Sequence, residues 1–270
     1  MKSFLILGLV VLIVVVWTIG TRVGYKLCFS KDRNHHVTGL DAIMPDVYHN
    51  RNKQVAVLRI QRKLTALLEA AGCEAWIAYG TLLGHQRHGG IIPWDDDIDL
   101  AVRRSDLRSL WERRNEFRGF GIELRAYWDE EMIKVFEEGS SCDPRKDACV
   151  DLFSCRRRVM SRNGEVRWQI EHPLFNQDYF VDSQVFPLRR ESLQGVVPVM
   201  VPRNPDDFLN RNFGRDWRRK LYVRPTHNKP WACMTFSSLI RGRTTYTMTD
   251  EIGSVIDQIV REVAEKVKDD

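Results

Sequence analysis

The sequence of 270 residues has no CxxC pair, no internal repeat and no low-complexity run. Without CxxC pairs a zinc ribbon is not expected, and without repeats neither a solenoid nor a propeller is expected. Motifs that read a nucleic acid groove are also missing, although the net charge is +5. The basic residues cluster at positions 156–158, 189–190 and 215–220. We interpret these clusters as a solvated face or as a surface that attracts phosphate-bearing substrates, and we expect no nucleic acid partner.

Long polar tracts are absent as well, which argues against a disordered chain. Hydrophobic residues make up 43% of the sequence and charged residues 29%, as in a globular domain. The length suits one catalytic domain, or one domain with a small appendage. Of the six cysteines, Cys142, Cys149 and Cys155 fall in a short loop-like stretch. Either a disulfide in an oxidising compartment or buried free thiols fit this pattern.

Charge is absent from residues 4–20, whose sequence is FLILGLVVLIVVVWTIG. As a helix this segment would be about 25 Å long, close to the thickness of a thin hydrocarbon layer. The run is long for a signal peptide and no small-x-small cleavage site follows it, so it predicts a transmembrane signal anchor over residues 1–20. Polar residues then predict a stem over 21–53, before a domain over 54–270. The positive charges around the anchor, counted alone, place this domain in the cytosol.

The apolar residues of the domain alternate between helical and strand spacing along the chain. Their pattern predicts a helix, a strand, a helix, a strand and a helix, then several strands and a terminal amphipathic helix from residue 250. This order indicates a mixed α/β or α+β domain. Only one helix and one strand of this series precede the acidic stretch GGIIPWDDDIDLAV, which covers residues 89–102.

Four aspartates fall within residues 95–99 of that stretch. Side chains alternate along a strand, so Asp95, Asp97 and Asp99 are expected on one face. Crowded carboxylates repel one another, and a divalent cation relieves this repulsion; oxygen ligands favour Mg²⁺ or Mn²⁺. The alternative is a solvated acidic turn, but the apolar residues on both sides of the cluster draw it towards a core. The cluster therefore predicts a metal site.

A further acid, Asp151, lies among apolar residues in the predicted strand ACVDLF. A buried carboxylate needs a partner, and the metal is the favoured one, with a salt bridge to an arginine as the alternative. Upstream, Gly80 and Thr81 mark the start of a helix, where backbone N–H groups and a hydroxyl can hold a phosphate. Arg87 and His88 lie between the two motifs and are candidates for contacts to the same phosphates. Trp94 and the basic clusters are candidates for contacts to the phosphates and base of a nucleotide.

The segment YGTLLGHQRHGGIIPWDDDIDLAV strongly resembles the signature of the LicD family, which includes bacterial phosphocholine transferases and the fukutin-related proteins. The later VDLF, VFPL and VPRNPDDFLNRNFGRDW resemble downstream elements of that family, so the similarity covers roughly residues 54 to 230. The resemblance implies an α+β domain with a nucleotidyltransferase-like mixed sheet flanked by helices. It also implies that Asp97 and Asp99 are the metal-binding pair, that Asp151 is the third acid and that Asp95 is a further acid of the motif.

The function that this resemblance implies is transfer of a phosphorylated alcohol, such as phosphocholine or ribitol phosphate, from a CDP-activated donor to a glycan hydroxyl. Asp95 and Asp151 are both candidates for the base that accepts the hydroxyl proton. The acceptor glycan would belong to a glycoprotein, a glycolipid or a polysaccharide. Eukaryotic relatives are anchored in the Golgi, so we expect a type II membrane protein of the Golgi or endoplasmic reticulum with its domain in the lumen. Two alternatives stay open: a DxD glycosyltransferase that uses a nucleotide sugar, and an inactive membrane-tethered glycan-binding protein.

Overall fold

The computed structural model describes residues 39–172, 178–223 and 244–268. These residues divide between two compact units. The larger unit comprises Pro45–Arg219 and Met248–Asp270. The described part of the smaller unit contains the first residues of a helix and one antiparallel pair of strands, in which Lys220 pairs with Thr247 and Val223 pairs with Thr244.

Helices and strands alternate through the first half of the chain, and strands dominate its middle. The helices are α1 (Gly39–Ala70), α2 (Tyr79–His88), α3 (Arg104–Glu112), α4 (Arg114–Phe117), α5 (Asp182–Val185), α6 (Asp206–Phe213) and α7 (Asp250–Lys268). The strands are β1 (Ala75–Ile77), β2 (Asp97–Arg103), β3 (Ile122–Tyr127), β4 (Met132–Glu137), β5 (Cys149–Val159), β6 (Val166–Ile170), β7 (Tyr179–Val181), β8 (Arg189–Leu193), β9 (Val197–Val201), β10 (Lys220–Val223) and β11 (Thr244–Thr247).

Within the described residues the central sheet has seven strands, in the order β1, β2, β5, β4, β3, with β6 paired to the end of β5 and β7 paired to β6. Strand β2 runs parallel to β5, whereas every other pair in this sheet is antiparallel. The sheet is therefore mixed, with helices on its flanks, and the predicted α+β class is confirmed. A separate hairpin joins β8 to β9.

Strand β2 shows why the acidic segment folds as it does. Ile98 and Leu100 are almost completely buried, whereas Asp97 and Asp99 retain partial exposure. The apolar residues thus bury one face of the strand, and the alternation of side chains directs the two carboxylates to the other face. Strand β5 is more deeply buried: its first seven residues, from Cys149 to Cys155, are all buried. This burial places Asp151 inside the domain.

Several boundaries differ from those that the sequence predicts. Helix α1 begins at Gly39, within the segment predicted as a stem. Its residues Asn50 and Gln54 are buried and donate hydrogen bonds to backbone carbonyls beyond Ile91. Residues 182–185 form the short helix α5, ahead of strands β8 and β9. Cys73, Cys142, Cys149 and Cys155 are free thiols, so the thiol interpretation holds for the described cysteines. The predicted anchor lies outside the described residues, and none of the helices within them combines the length and apolar character that a membrane span needs.

Candidate active site

Three aspartates meet where β2 runs beside β5. Asp97 and Asp99 lie on β2, Asp151 lies on β5, and the parallel register pairs Asp99 directly with Asp151. Paired residues of neighbouring strands project to the same face of a sheet. One carboxylate oxygen from each of the three side chains lies within 4.8 Å of the others. The predicted convergence of these acids is therefore present in the fold.

The turn before β2 adds two more carboxylates. Asp95, Asp96 and Asp97 also place ligand oxygens within 4.8 Å of one another. Gln54 of helix α1 holds this turn, because its side-chain amide donates to the carbonyl oxygens of Ile92 and Asp95, each at 2.8 Å. The carboxylate of Asp96 contacts the Lys53 ammonium, with an N–O distance of 3.1 Å.

The start of helix α2 packs directly against the acids. A Cβ atom at Gly80 would lie 2.6 Å from Oδ2 of Asp95 and 4.0 Å from Oδ2 of Asp99, so only glycine fits this position without a shift. The Thr81 side chain is buried, and its hydroxyl accepts a hydrogen bond of 2.8 Å from the backbone N–H of Asp99. Both residues therefore position the acids. The predicted phosphate contacts of Gly80 and Thr81 stay predictions.

Lys134 is a site residue that the sequence analysis did not identify. It lies on β4 opposite Asp151, and its ammonium nitrogen is 2.6 Å and 2.5 Å from the two carboxylate oxygens of Asp151. The Cys149 thiol completes this group, since its Sγ lies 3.6 Å from Oδ1 of Asp151. Asp151 thus has a lysine partner in place of the arginine considered for it, and it still reaches the other acids. The sequence signal for a buried role of Lys134 is its position between the apolar residues Ile133 and Val135.

The pKa shifts follow from burial and from repulsion between the carboxylates. Burial raises the pKa of Asp99 well above 3.8, and the negative charges of Asp97, Asp151 and Asp95 raise it further, while Lys134 opposes them. Burial also raises the pKa of Asp151, although its ion pair with Lys134 acts in the opposite direction. Burial lowers the pKa of the Lys134 ammonium, but Asp151 together with Cys149 and Asp97 outweighs this effect, and the net shift is upward. The cluster therefore retains unrelieved negative charge despite Lys134.

Aromatic side chains continue the same face of the sheet beyond Asp151. Tyr79 packs edge-on against Phe153, two residues after Asp151, and its hydroxyl donates to Oδ2 of Asp178 at 3.1 Å. His172 packs against Phe153 in turn. Burial, and then the Lys134 charge, lower the pKa of His172 to about 4, so its imidazole is neutral near pH 7. These contacts form an apolar wall beside the acids.

The other predicted phosphate contacts occupy less accessible positions. Burial lowers the pKa of His88 to about 3, with Arg87 adding to the effect, and Nε2 of His88 lies 3.2 Å from the carbonyl oxygen of Ile91. A neutral His88 would offer a phosphate only a hydrogen bond. Trp94 is 3% exposed, so its ring belongs to the core and presents almost no surface to a base. The roles predicted for Arg87, His88 and Trp94 remain untested.

The donor set at this cluster fits a divalent cation. The contributing groups are carboxylates, and oxygen ligands are those that Mg²⁺ and Mn²⁺ prefer. The raised pKa of Asp99 reflects burial first and then repulsion by the neighbouring carboxylates, and a bound cation would relieve that repulsion. Asp97, Asp99 and Asp151 would hold the ion, with Asp95 close to them.

The fold and the site together define an α+β domain with a carboxylate-lined centre on adjoining strands. Residues 72–204 match the family model described as LicD/FKTN/FKRP, nucleotidyltransferase domain. This span contains all the acids of the cluster, together with Lys134. The match agrees with the resemblance to the LicD family that the sequence motifs carry.

This chain spans only about a third of the length of the two named relatives that it matches. Human ribitol 5-phosphate transferase FKRP is 37% identical over 163 residues, which are 59% of this chain and 31% of that protein. The lipopolysaccharide cholinephosphotransferase LicD of Haemophilus influenzae is 33% identical over 93 residues, which are 32% of this chain and 35% of that protein. An uncharacterized protein of Rickettsia typhi is 25% identical over 217 residues, 80% of this chain and 63% of that protein.

A solved structure, the lincosamide antibiotic adenylyltransferase LnuA with lincomycin bound, aligns with 76% of this chain and 93% of its own. The TM-score is 0.30 and the sequence identity is 9%, a similarity too weak to support an argument about this chain.

Proposed function

We propose that this chain is a metal-dependent phosphotransferase that moves a phosphorylated alcohol from a CDP-activated donor to a glycan hydroxyl. Phosphocholine and ribitol phosphate are the favoured cargoes, because the named relatives are a cholinephosphotransferase and a ribitol 5-phosphate transferase. The observation that carries the proposal is the convergence of Asp97, Asp99 and Asp151 within 4.8 Å inside the LicD domain. Because this chain spans only about a third of these relatives, the identity of the donor and that of the acceptor both belong to the proposal.

In the proposed reaction, Asp97, Asp99 and Asp151 hold a Mg²⁺ or Mn²⁺ ion. When bound, the ion neutralises the oxygens of the donor diphosphate and stabilises the CMP leaving group. The glycan hydroxyl attacks the phosphorus that bears the alcohol, a new P–O bond forms on the glycan, and the bond to CMP breaks. Lys134 opposes protonation of Asp151 and holds its carboxylate in place during this exchange.

The geometry favours Asp95 over Asp151 as the group that accepts the hydroxyl proton. Both oxygens of Asp151 already accept hydrogen bonds from the Lys134 ammonium, which lowers the affinity of this carboxylate for a proton. Asp95 lies at the edge of the cluster beside Gly80 and retains partial exposure, so a substrate hydroxyl can approach it. We therefore assign the proton transfer to the Asp95 carboxylate.

The proposal includes the cellular setting expected from the sequence. Residues 4–20 would anchor the chain in the membrane of the Golgi or endoplasmic reticulum, with the domain in the lumen. A lumenal domain would meet its acceptor there, a glycan of a glycoprotein, glycolipid or polysaccharide.

A panel of donors tests the function directly. The chain would be incubated with CDP-choline, CDP-ribitol, CDP-glycerol and ordinary nucleotide sugars, with Mg²⁺ or Mn²⁺ and a mixture of glycans. We expect release of CMP from one CDP-alcohol, and loss of this release in the Asp97→Asn, Asp99→Asn double variant.

Glu116→Gln serves as a matched control, because Glu116 is exposed on helix α4 and pairs only with the neighbouring Arg113 among the contacts described for it. This variant should retain full activity. Release of a nucleotide from a sugar donor would favour the glycosyltransferase alternative. No release from any donor, with the fold intact, would favour the glycan-binding alternative.

A further inference from the structure

We propose that the acid cluster binds a single divalent cation, at Asp97, Asp99 and Asp151, and that the Lys134 ammonium stands where a second divalent cation would otherwise bind. This inference rests on the proposed function, because it concerns the same metal site. It assigns a charge-balancing role to Lys134, which lies outside the sequence segments that carry the family resemblance.

The position of Lys134 in the sheet supports this role. Strand β5 lies between β2 and β4, so Asp99 and Lys134 flank Asp151 from opposite sides. The ammonium lies 2.6 Å and 2.5 Å from the two oxygens of Asp151, and therefore contacts both of them. A cation held with Asp97 and Asp99 would approach Asp151 from the β2 side. A second cation on the β4 side would have to displace the ammonium.

Burial makes this displacement unfavourable. The side chains of Lys134 and Asp151 are 12% and 7% exposed, so water screens their ion pair weakly. A divalent ion beside an ammonium group is repelled in such a place. The Cys149 thiol also lies within 3.8 Å of the ammonium nitrogen and within 3.6 Å of Asp151, which leaves little room for further ligands.

A second lysine balances the opposite end of the cluster. The Lys53 ammonium lies 3.1 Å from Oδ2 of Asp96, and the two side chains are 16% and 18% exposed. With Lys53 and Lys134, the five carboxylates at positions 95, 96, 97, 99 and 151 carry a formal charge of −3. One divalent cation reduces this charge to −1, whereas a second would make it positive.

Counting bound metal ions tests the inference without a measurement of activity. The full-length chain, stripped of metal and free of nucleotide, would be titrated with Mn²⁺ by calorimetry. Electron paramagnetic resonance would report whether two Mn²⁺ ions lie close enough to couple. The variants are Lys134→Met, which removes the charge, and Lys134→Arg, which keeps it. Lys134→Gln is a second neutral variant in case the methionine disturbs the fold.

We expect one Mn²⁺ per chain in the unaltered protein and in Lys134→Arg, and two coupled ions in the neutral variants. Two ions in the unaltered protein would overturn the role of Lys134 whatever the variants do. One ion in a folded neutral variant would overturn it as well. No bound Mn²⁺ in the unaltered protein would instead overturn the metal site and the proposed function with it.

Discussion

Gly80, at the start of helix α2, lies directly against the carboxylate of Asp95. A Cβ atom on residue 80 would stand 2.6 Å from Oδ2 of Asp95, closer than nonbonded atoms approach. The start of this helix can therefore pack against the acidic turn only because residue 80 has no side chain. The same helix holds β2 through the Thr81 hydroxyl, so two consecutive residues set the position of the acids.

The first prediction concerns Gly80→Ala. The new methyl group must push the Asp95 carboxylate away, because the contact is with the end of a side chain, so we expect a reduction of CMP release on the order of 10-fold or more. Gly253→Ala is the control: the site on helix α7 has open space for a Cβ, and alanine should stabilise the helix by about 0.5–1 kcal/mol. Steady-state kinetics and urea unfolding measure the two effects. Unchanged kinetics in a folded Gly80→Ala chain would contradict the assignment of the proton transfer to Asp95.

The second prediction concerns Thr81. Thr81→Val removes the acceptor of the Asp99 backbone N–H and leaves that donor buried, which should lower the free energy of unfolding by about 2 kcal/mol. Thr81→Ser keeps the hydroxyl and should recover most of this loss. Urea denaturation of the three proteins measures the difference. Equal stability of the valine and serine variants would show that the hydrogen bond is unimportant.

Much of the fold and the acid cluster could be predicted from the sequence because their signals are local. The alternation of Asp97, Ile98, Asp99 and Leu100 fixes which side chains share a face, and this pattern needs no knowledge of the neighbouring strands. Asp151 could be identified because an acid in an apolar strand needs a partner. Both predictions depend on a few consecutive residues.

Lys134 could not be placed in the same way, since its pairing with Asp151 depends on the register of β4 against β5. In the segment MIKVFEEG it is one charged residue of an ordinary strand, and a solvated lysine fits equally well. The hydroxyl of Thr81 poses a similar problem, because its partner lies 18 residues away on β2. The burial of Asn50 and Gln54 on α1 could not be predicted either, because they are polar residues buried by hydrogen bonds, which apolar spacing does not reveal.

The third prediction concerns the membrane anchor expected at residues 4–20. The full chain expressed in a eukaryotic cell should sediment with membranes and resist extraction by carbonate at high pH. A chain that begins at residue 39 lacks the predicted signal anchor and should appear in the soluble fraction of the cell. Protease added to intact vesicles should spare the domain if it lies in the lumen, and digestion without detergent would contradict the lumenal placement.

The fourth prediction concerns the ion pair of Lys134 with Asp151. Lys134→Met leaves a buried carboxylate without its partner, so in metal-free buffer we expect a loss of about 3 kcal/mol in the free energy of unfolding near pH 7. Burial then raises the pKa of Asp151 without opposition from Lys134, and the variant should regain stability as the pH falls and the carboxylate is protonated. The double variant Lys134→Met, Asp151→Asn should be more stable than the single variant at pH 7, as urea titrations would show.

The fifth prediction concerns the pH dependence that Asp99 imposes on the metal-free chain. Burial and the neighbouring carboxylates raise its pKa in the folded state well above 3.8, so folding favours the protonated form. This contribution to stability is complete below the unfolded pKa of 3.8 and is lost as the pH rises through the folded pKa. With a chelator present, the unfolding free energy should therefore fall with rising pH from 4 upward, and Asp99→Asn should flatten this slope. Saturating Mn²⁺ should remove the fall in the unaltered chain, whereas a slope that Asp99→Asn leaves unchanged would assign it to another group.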